Sequence, residues 1–420
     1  MKKDSRIEKS YQIARERYAE LGVDTDAALA ALAKIPISLH CWQGDDVIGF
    51  ERDASGASGG ILSTGSYPGR ARNVAELRAD LDRAMALLPG ALRLNLHAIY
   101  LDSEKPVERD KLELRHFLSW IDWAKERGIG LDFNPTCFSH PKAATGFTLS
   151  SPDASVRRFW IEHVNACRRF AAEFGKQLGK RCVMNIWVPD GFKDTPVDRA
   201  AARKRLRDSL DTIFELKLPA KYMRDAVESK LFGIGVESCT VGSHEFYMGY
   251  AQRQKLLLCL DSGHFHPTET ISDKISSALL FLDEILLHVS RPVRWDSDHV
   301  VIWDDELQAI ANEIVRNDPR RVNIGLDYFD GTVNRLAAWT VGVRSTQRAL
   351  CRALLEPAAE LRRLERTGDY TRRMMLVEEL KALPAAAVYD YFCLRAGRPV
   401  GAEIAPEIDD YESKVQKKRR

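Results

Sequence analysis

Pro36-Ile37-Ser38-Leu39-His40-Cys41-Trp42-Gln43-Gly44-Asp45-Asp46 is a short apolar run that turns polar and aromatic at its end, then passes into a loop. A doubly wound dinucleotide fold would place a Gly-x-Gly-x-x-Gly turn here, opening a helix whose N-terminus holds a pyrophosphate. A long glycine-rich stretch follows instead, with Gly56, Gly59, Gly60, Gly65 and Gly69. Runs of the same kind recur at 93–100, 130–136, 182–189, 225–230, 256–261, 285–289 and 322–329, each flanked by Gly, Pro, Asp or Asn, and they read as strands. Segments of helical period separate them. Residues 76–88 put Leu77, Leu81, Ala84 and Leu88 on one face, 156–174 do so with Phe159, Ile161, Val164 and Phe170, and 307–315 and 333–354 follow. Ser151-Pro152-Asp153 reads as an N-cap with proline just inside the helix. Near-continuous apolar strands alternating with helices mean a parallel sheet covered on both faces, and eight such units close a (β/α)8 TIM barrel. The expected organisation is an N-terminal helical segment (1–35), the α/β barrel (36–355) and a helical C-terminal extension (356–420).

Composition narrows the function. The chain has 420 residues, 45% hydrophobic and 29% charged, with 62 Lys and Arg against 60 Asp and Glu, a formal charge of +2. That balance attracts neither nucleic acid nor an acidic membrane surface. The stretch 278–289 is interrupted by Asp283 and Glu284, too short and too charged for a membrane span. The basic first residues lack an apolar run, so no secretory signal is expected, and the eight cysteines contain no Cys-x-x-Cys pair. Reduced, buried thiols in a cytoplasmic protein follow. The closing Lys417-Lys418-Arg419-Arg420 reads as a solvated helix end.

In a TIM barrel, chemistry gathers at the C-terminal ends of the strands. Here those ends carry His97, Asp132, Trp187, Asp190, Glu228, Lys230, Asp261, His264, His288 and Asp327. Trp295-Asp296-Ser297-Asp298-His299 follows the seventh run; residues two apart in an extended segment point the same way, so Asp296 and Asp298 aim at one point. Two carboxylates about 4 Å apart repel by roughly 4 kcal/mol at an effective dielectric of about 20, and a divalent cation reverses the sign. With His264 they form a mixed N/O set suited to Mn²⁺, Mg²⁺, Co²⁺ or Zn²⁺. Glu228, Asp261, His288 and Asp327 end four consecutive strands and converge as neighbours, offering a second cation site. Lys230, two residues past Glu228, would polarise a substrate oxygen. His97 could touch a sugar, with Trp42, Trp187, Phe133 and Phe329 near the same rim and one or two of them lining the pocket. Cys41, Cys137 and Cys259 lie nearby, with no histidine partner to make a thiol nucleophile.

At these residues the sequence resembles the L-rhamnose isomerase family. The resemblance is carried by Leu39-His40-Cys41-Trp42-Gln43-Gly44-Asp45-Asp46, Leu94-Asn95-Leu96-His97-Ala98-Ile99-Tyr100, Leu131-Asp132-Phe133-Asn134-Pro135 and Met184-Asn185-Ile186-Trp187. It continues through Ala226-Val227-Glu228-Ser229-Lys230-Leu231-Phe232-Gly233-Ile234-Gly235, Gly263-His264-Phe265-His266-Pro267-Thr268, the segment 287–299 and Gly325-Leu326-Asp327. The resemblance implies a homotetrameric, metal-dependent aldose–ketose isomerase on a (β/α)8 barrel that interconverts L-rhamnose and L-rhamnulose. His264, Asp296 and Asp298 would bind the catalytic Mn²⁺, and Glu228, Asp261, His288 and Asp327 a structural metal, with Zn²⁺ or Co²⁺ as alternatives. Lys230 would sit by the sugar's O1 and O2, with His97 and Trp187 against the sugar.

Moving a carbonyl from C1 to C2 transfers a hydrogen between the carbons and a proton between the oxygens. A metal-assisted hydride shift, with Asp296 or Asp327 orienting the water that carries the proton, is the expected route; an enediol formed by a carboxylate base is its rival. A metal-dependent hydrolase on the same barrel and a non-catalytic sugar-binding module are the alternative functions. The glycine-rich stretch 52–69 is a candidate lid.

Overall fold

A computed structural model of the chain describes residues 3–44, 48–51, 67–231, 238–294 and 297–419. Helices α1 (Lys3–Ala19) and α2 (Thr25–Leu32) lead into strand β1 (Ile37–His40). Strand and helix then alternate: α3 (Val74–Ala86), β2 (Leu92–His97), α4 (Leu118–Glu126), β3 (Gly130–Asn134), α5 (Ala154–Leu178), β4 (Cys182–Ile186) and α6 (Arg199–Glu215). The second half continues with β5 (Met223–Glu228), α7 (His244–Gln254), β6 (Leu257–Asp261), α8 (Ile271–Leu279), β7 (Ile285–Val289), α9 (Asp305–Arg316), β8 (Val322–Leu326) and α10 (Arg335–Leu354). All eight strands are parallel, each pairs with its sequence neighbours, and β8 pairs with β1 to close the barrel. Helices α11 (Ala358–Arg366), α12 (Tyr370–Lys381), α13 (Ala385–Arg395) and α14 (Ile404–Lys414) complete the chain. Helix α13 packs on α1, where Tyr11 and Tyr391 stack at 3.9 Å. No described helix is long and apolar enough to cross a membrane, and all eight cysteines are free and buried.

Several sequence expectations need correction. The apolar runs overshoot the strands, because the loops that leave the barrel are themselves buried: residues 98–100 form a 3-10 turn, and Trp187 and Phe329 lie beyond their strands yet within the core. A two-stranded antiparallel ribbon, Gly191–Phe192 with Cys239–Thr240, stands outside the barrel and carries no apolar run to announce it. Pro152 precedes the helix rather than entering it, since Asp153 is the N-cap of α5 and accepts from the Ser155 amide. The terminal basic run is not wholly solvated. The side chain of half-buried Arg419 is tucked into a bidentate pair with fully buried Asp80, at 2.6 and 2.8 Å, and its guanidinium also donates to the Gly69 carbonyl. Most of the proposed lid, residues 52–66, lies outside the described residues.

The interior of the barrel positions the site. Partners in parallel register share a face, and faces alternate with period two. Ser38 on β1 donates to Asp132 on β3 across the intervening β2, a contact that can run only through the lumen. By the same alternation Asp132 and Asn134 face inward and Phe133 outward, where it meets Phe117 and Phe174 at 5.3 and 5.2 Å instead of lining a pocket. The lumen is polar above a small apolar patch of Val183, Ala226, Leu257, Cys259 and Leu286. Gly325 leaves space there: a Cβ would lie 3.2 Å from His288 Cδ2 and 3.1 Å from a backbone oxygen.

Candidate active site

Glu228, Asp261, His288 and Asp327 converge at the C-terminal end of β5 to β8, because these strands are consecutive in the barrel and the register sets Asp261 beside His288. The His288 Nδ1 atom lies 3.4 Å from Glu228 Oε2, 3.7 Å from Asp261 Oδ2 and 3.4 Å from Asp327 Oδ2. Donors about 2.1 Å from a tetrahedrally coordinated cation stand about 3.4 Å apart, so the separations fit a single divalent ion. Charge points the same way. Three buried or half-buried carboxylates face His288, and burying unpaired carboxylates is costly. Burial pulls the His288 pKa down, but the adjacent Cys259 sulfur and then the Glu228 carboxylate outweigh it and hold the imidazole well above its ordinary range. Burial pushes Glu228 up, and His288 and His264 reverse that and hold it low. Asp327 stays raised, because burial exceeds the help it gets from His288.

His264 stands against this cluster, with its Nδ1 3.1 Å from Glu228 Oε1, so one carboxylate faces both histidines. His264, Glu228 and Asp261 offer donor atoms within 4.8 Å of one another. The rest of the first proposed set is less complete. Asp296 lies outside the described residues, and Asp298, although buried, joins no three-donor cluster among them. The extended-segment argument also fails locally, because Asp298 has a left-handed φ of +42°. That conformation is uncommon for a non-glycine residue and concentrates at functional sites.

The pocket wall is layered. Lys230 Nζ lies 5.2 Å from the Trp187 ring centroid, and that ring lies nearly parallel to His264 at 6.3 Å. The Trp187 indole N–H is buried with no hydrogen-bond partner among the described residues, as is His97 Nε2, while His97 Nδ1 engages Thr136 at 3.1 Å. Burial, then the neighbouring His288 and His40, hold His97 neutral. Such orphaned polar atoms need a partner, and a hydroxylated ligand supplies one. A cavity of about 190 Å³ opens beside Lys230 and His264, with Arg203, His244 and Phe265 also on its walls.

Sequence reasoning missed Phe138, gave Asn185 no role and denied Cys259 a histidine partner. Phe138 lies 5.1 Å from Trp187 and 6.2 Å from Trp42, but it sits in a turn with positive φ at Thr136 and Ser139, which no periodicity reveals. Asn185 donates to Glu228; its inward alternation with Trp187 was the available signal. Cys259 does have a histidine neighbour: its thiol clusters with His288 and Glu228, and burial raises its pKa far above the ordinary thiol range, leaving it inert as a nucleophile. Two other strand-end acids are structural. Asp190 accepts four hydrogen bonds from the amides and hydroxyls of Thr148 and Ser150, and Asp132 belongs to the opposite end of the barrel.

Known proteins match this chain along its whole length. The family described as L-rhamnose isomerase (RhaA) covers residues 5–419. The L-rhamnose isomerase of Escherichia coli (strain K12) is 58% identical over 416 residues, 99% of each chain. That of Salmonella paratyphi B (strain ATCC BAA-1250 / SPB7) is 57% identical over the same length. A solved L-ribulose 3-epimerase superposes at a TM-score of 0.46 with 12% identity, covering 70% of this chain and 96% of that one, too distant to carry chemistry across. The full-length matches leave one assignment: the chain belongs to the L-rhamnose isomerase family.

Proposed function

We propose that this protein interconverts L-rhamnose and L-rhamnulose with the help of divalent cations, Mn²⁺ at the catalytic position. The carrying observation is the cage of Glu228, Asp261, His288 and Asp327, whose donor spacing and surplus negative charge suit a cation, in a chain of this family. Glu228, Asp261, His288 and Asp327 would hold a structural ion, and His264, Asp296 and Asp298 the catalytic one. A bound cation supplies Lewis acidity at the sugar oxygens. The protein's own groups do the rest. The Lys230 ammonium places positive charge where O1 and O2 exchange carbonyl character. His97 Nε2 and the Trp187 N–H pair with hydroxyls, and the Trp187 and Phe138 rings meet the sugar's C–H face. Asp296 or Asp327 orients the water that moves a proton from O2 to O1 as hydride passes from C2 to C1. Four copies of the chain would form the working assembly, a reading that light scattering tests.

The decisive experiment strips the protein with chelator, restores single metals and assays ketose formation from a panel of aldoses. Ketose from L-rhamnose that returns with Mn²⁺ supports the reading. Saturable sugar binding without turnover, or ester hydrolysis without ketose, overturns it. Running the reaction in D₂O separates the routes, since substantial solvent deuterium at C1 excludes the hydride shift.

A further inference from the structure

Trp42 lies two residues beyond β1, only 1% exposed. Its indole N–H donates to Asp327 Oδ1 at 2.8 Å. The other oxygen of that carboxylate, Oδ2, is the one that faces His288 Nδ1 at 3.4 Å. The indole has little freedom to move, because its ring lies 4.1 Å from the His97 ring and 4.5 Å from the Phe329 ring. Asp327 itself is less restrained. It follows the last residue of β8, and apart from the facing His288, Trp42 is the one group among the described residues that binds its carboxylate.

A carboxylate in a cation cage can offer one oxygen or two, and a hydrogen bond to one oxygen decides the matter. We propose that Trp42 is a positioning residue for Asp327: its N–H occupies Oδ1 and so presents Oδ2 alone to the cage formed with Glu228, Asp261 and His288. The proposal rests on the reading of Asp327 as a metal ligand. The Trp42 ring also packs tilted at 46° against His97, a contact that a phenylalanine ring can keep.

Trp42→Phe removes the donor and keeps an aromatic ring. Outer-shell partners of metal ligands typically contribute 10–100-fold in affinity. Mn²⁺ titration of the chelator-stripped protein by calorimetry, without sugar, is therefore expected to show roughly 10–100-fold weaker binding in Trp42→Phe. The Mn²⁺ concentration for half-maximal activity should rise by the same factor. At saturating Mn²⁺, kcat should recover and KM for L-rhamnose should stay near that of the parent protein, which general damage to the fold would not allow. Unchanged Mn²⁺ affinity in Trp42→Phe, alongside lost affinity in Asp327→Asn, overturns the positioning role and leaves the cage intact. Unchanged affinity in Asp327→Asn removes the cage reading itself, and the positioning role with it. Should Trp42→Phe not fold, benzothienylalanine at position 42, which exchanges the N–H for sulfur at nearly constant shape, gives the same readout.

Discussion

The two ends of the barrel lumen use the same residue types to opposite effect. At the N-terminal end, Asp132 Oδ1 accepts from Arg93 Nη2 at 2.6 Å and from the Val183 amide at 2.9 Å, and Oδ2 accepts from Arg93 Nε at 2.8 Å and Ser38 at 2.7 Å. Arg93 also donates to the Arg181 carbonyl at 2.7 Å. The Arg93–Asp132 pair carries no net charge and both Asp132 oxygens are bound, even though a cavity of about 380 Å³ lies alongside. At the C-terminal end, carboxylates outnumber the cations that face them, and polar atoms of His97 and Trp187 are left over. Burial is similar at both ends. Imbalance is what marks the functional one, because a protein keeps uncompensated buried charge only where a ligand completes it.

The sharpest way to break this contrast is to neutralise one acid at each end. Asp327→Asn should cut kcat/KM by at least about 1000-fold, roughly 4 kcal/mol of lost transition-state stabilisation. In chelator the same variant should unfold no earlier than the parent protein, since it relieves repulsion; a clear drop in the metal-free Tm would contradict the contrast. Asp132→Asn should do the reverse. It strands a buried guanidinium and should cost about 3–5 kcal/mol in urea unfolding, with kcat of the folded fraction preserved. Chelation should lower the Tm of the parent protein, since an ion at 100 times its Kd contributes about 2.7 kcal/mol, and should leave Asp327→Asn unmoved. Arg419→Ala tests a saturated pair on the helical layer outside the lumen: losing the partner of Asp80 should cost about 2 kcal/mol with little effect on turnover.

Histidines sharpen the comparison further. His40 is buried with neither ring nitrogen bound among the described residues, and burial, helped by nearby His288, lowers its pKa to about 3. Folded His40 therefore stays neutral while unfolded His40 takes a proton below about pH 6.5, so stability should fall on acidification from that point toward pH 3. His40 contributes about 1.4 kcal/mol per pH unit to that loss, and His40→Gln should remove this share of the slope. An NMR signal from His40 that titrates near pH 6.5 in the folded protein would count against this.

The barrel was legible because its strands are apolar runs of the right length and number, and Glu228, Asp261, His288 and Asp327 because equivalent positions on consecutive strands are neighbours in any closed parallel barrel. Asp132 shows the limit. Alternation says which face a residue takes, not at what height along the lumen its partners stand, so its pairing with Arg93 was invisible. Phe138 reaches the pocket through a turn of positive φ, and the Asp80–Arg419 pair spans 339 residues. The amino-acid sequence by itself determined the repeat of strand and helix, the family and the acids and histidines that converge at one rim. Only the tertiary structure decided which buried charges are balanced, that Glu228 faces both His264 and His288, and that Trp42 holds Asp327. Such contacts depend on side-chain distances of a few ångströms between elements far apart in the chain, and local pattern carries no record of them.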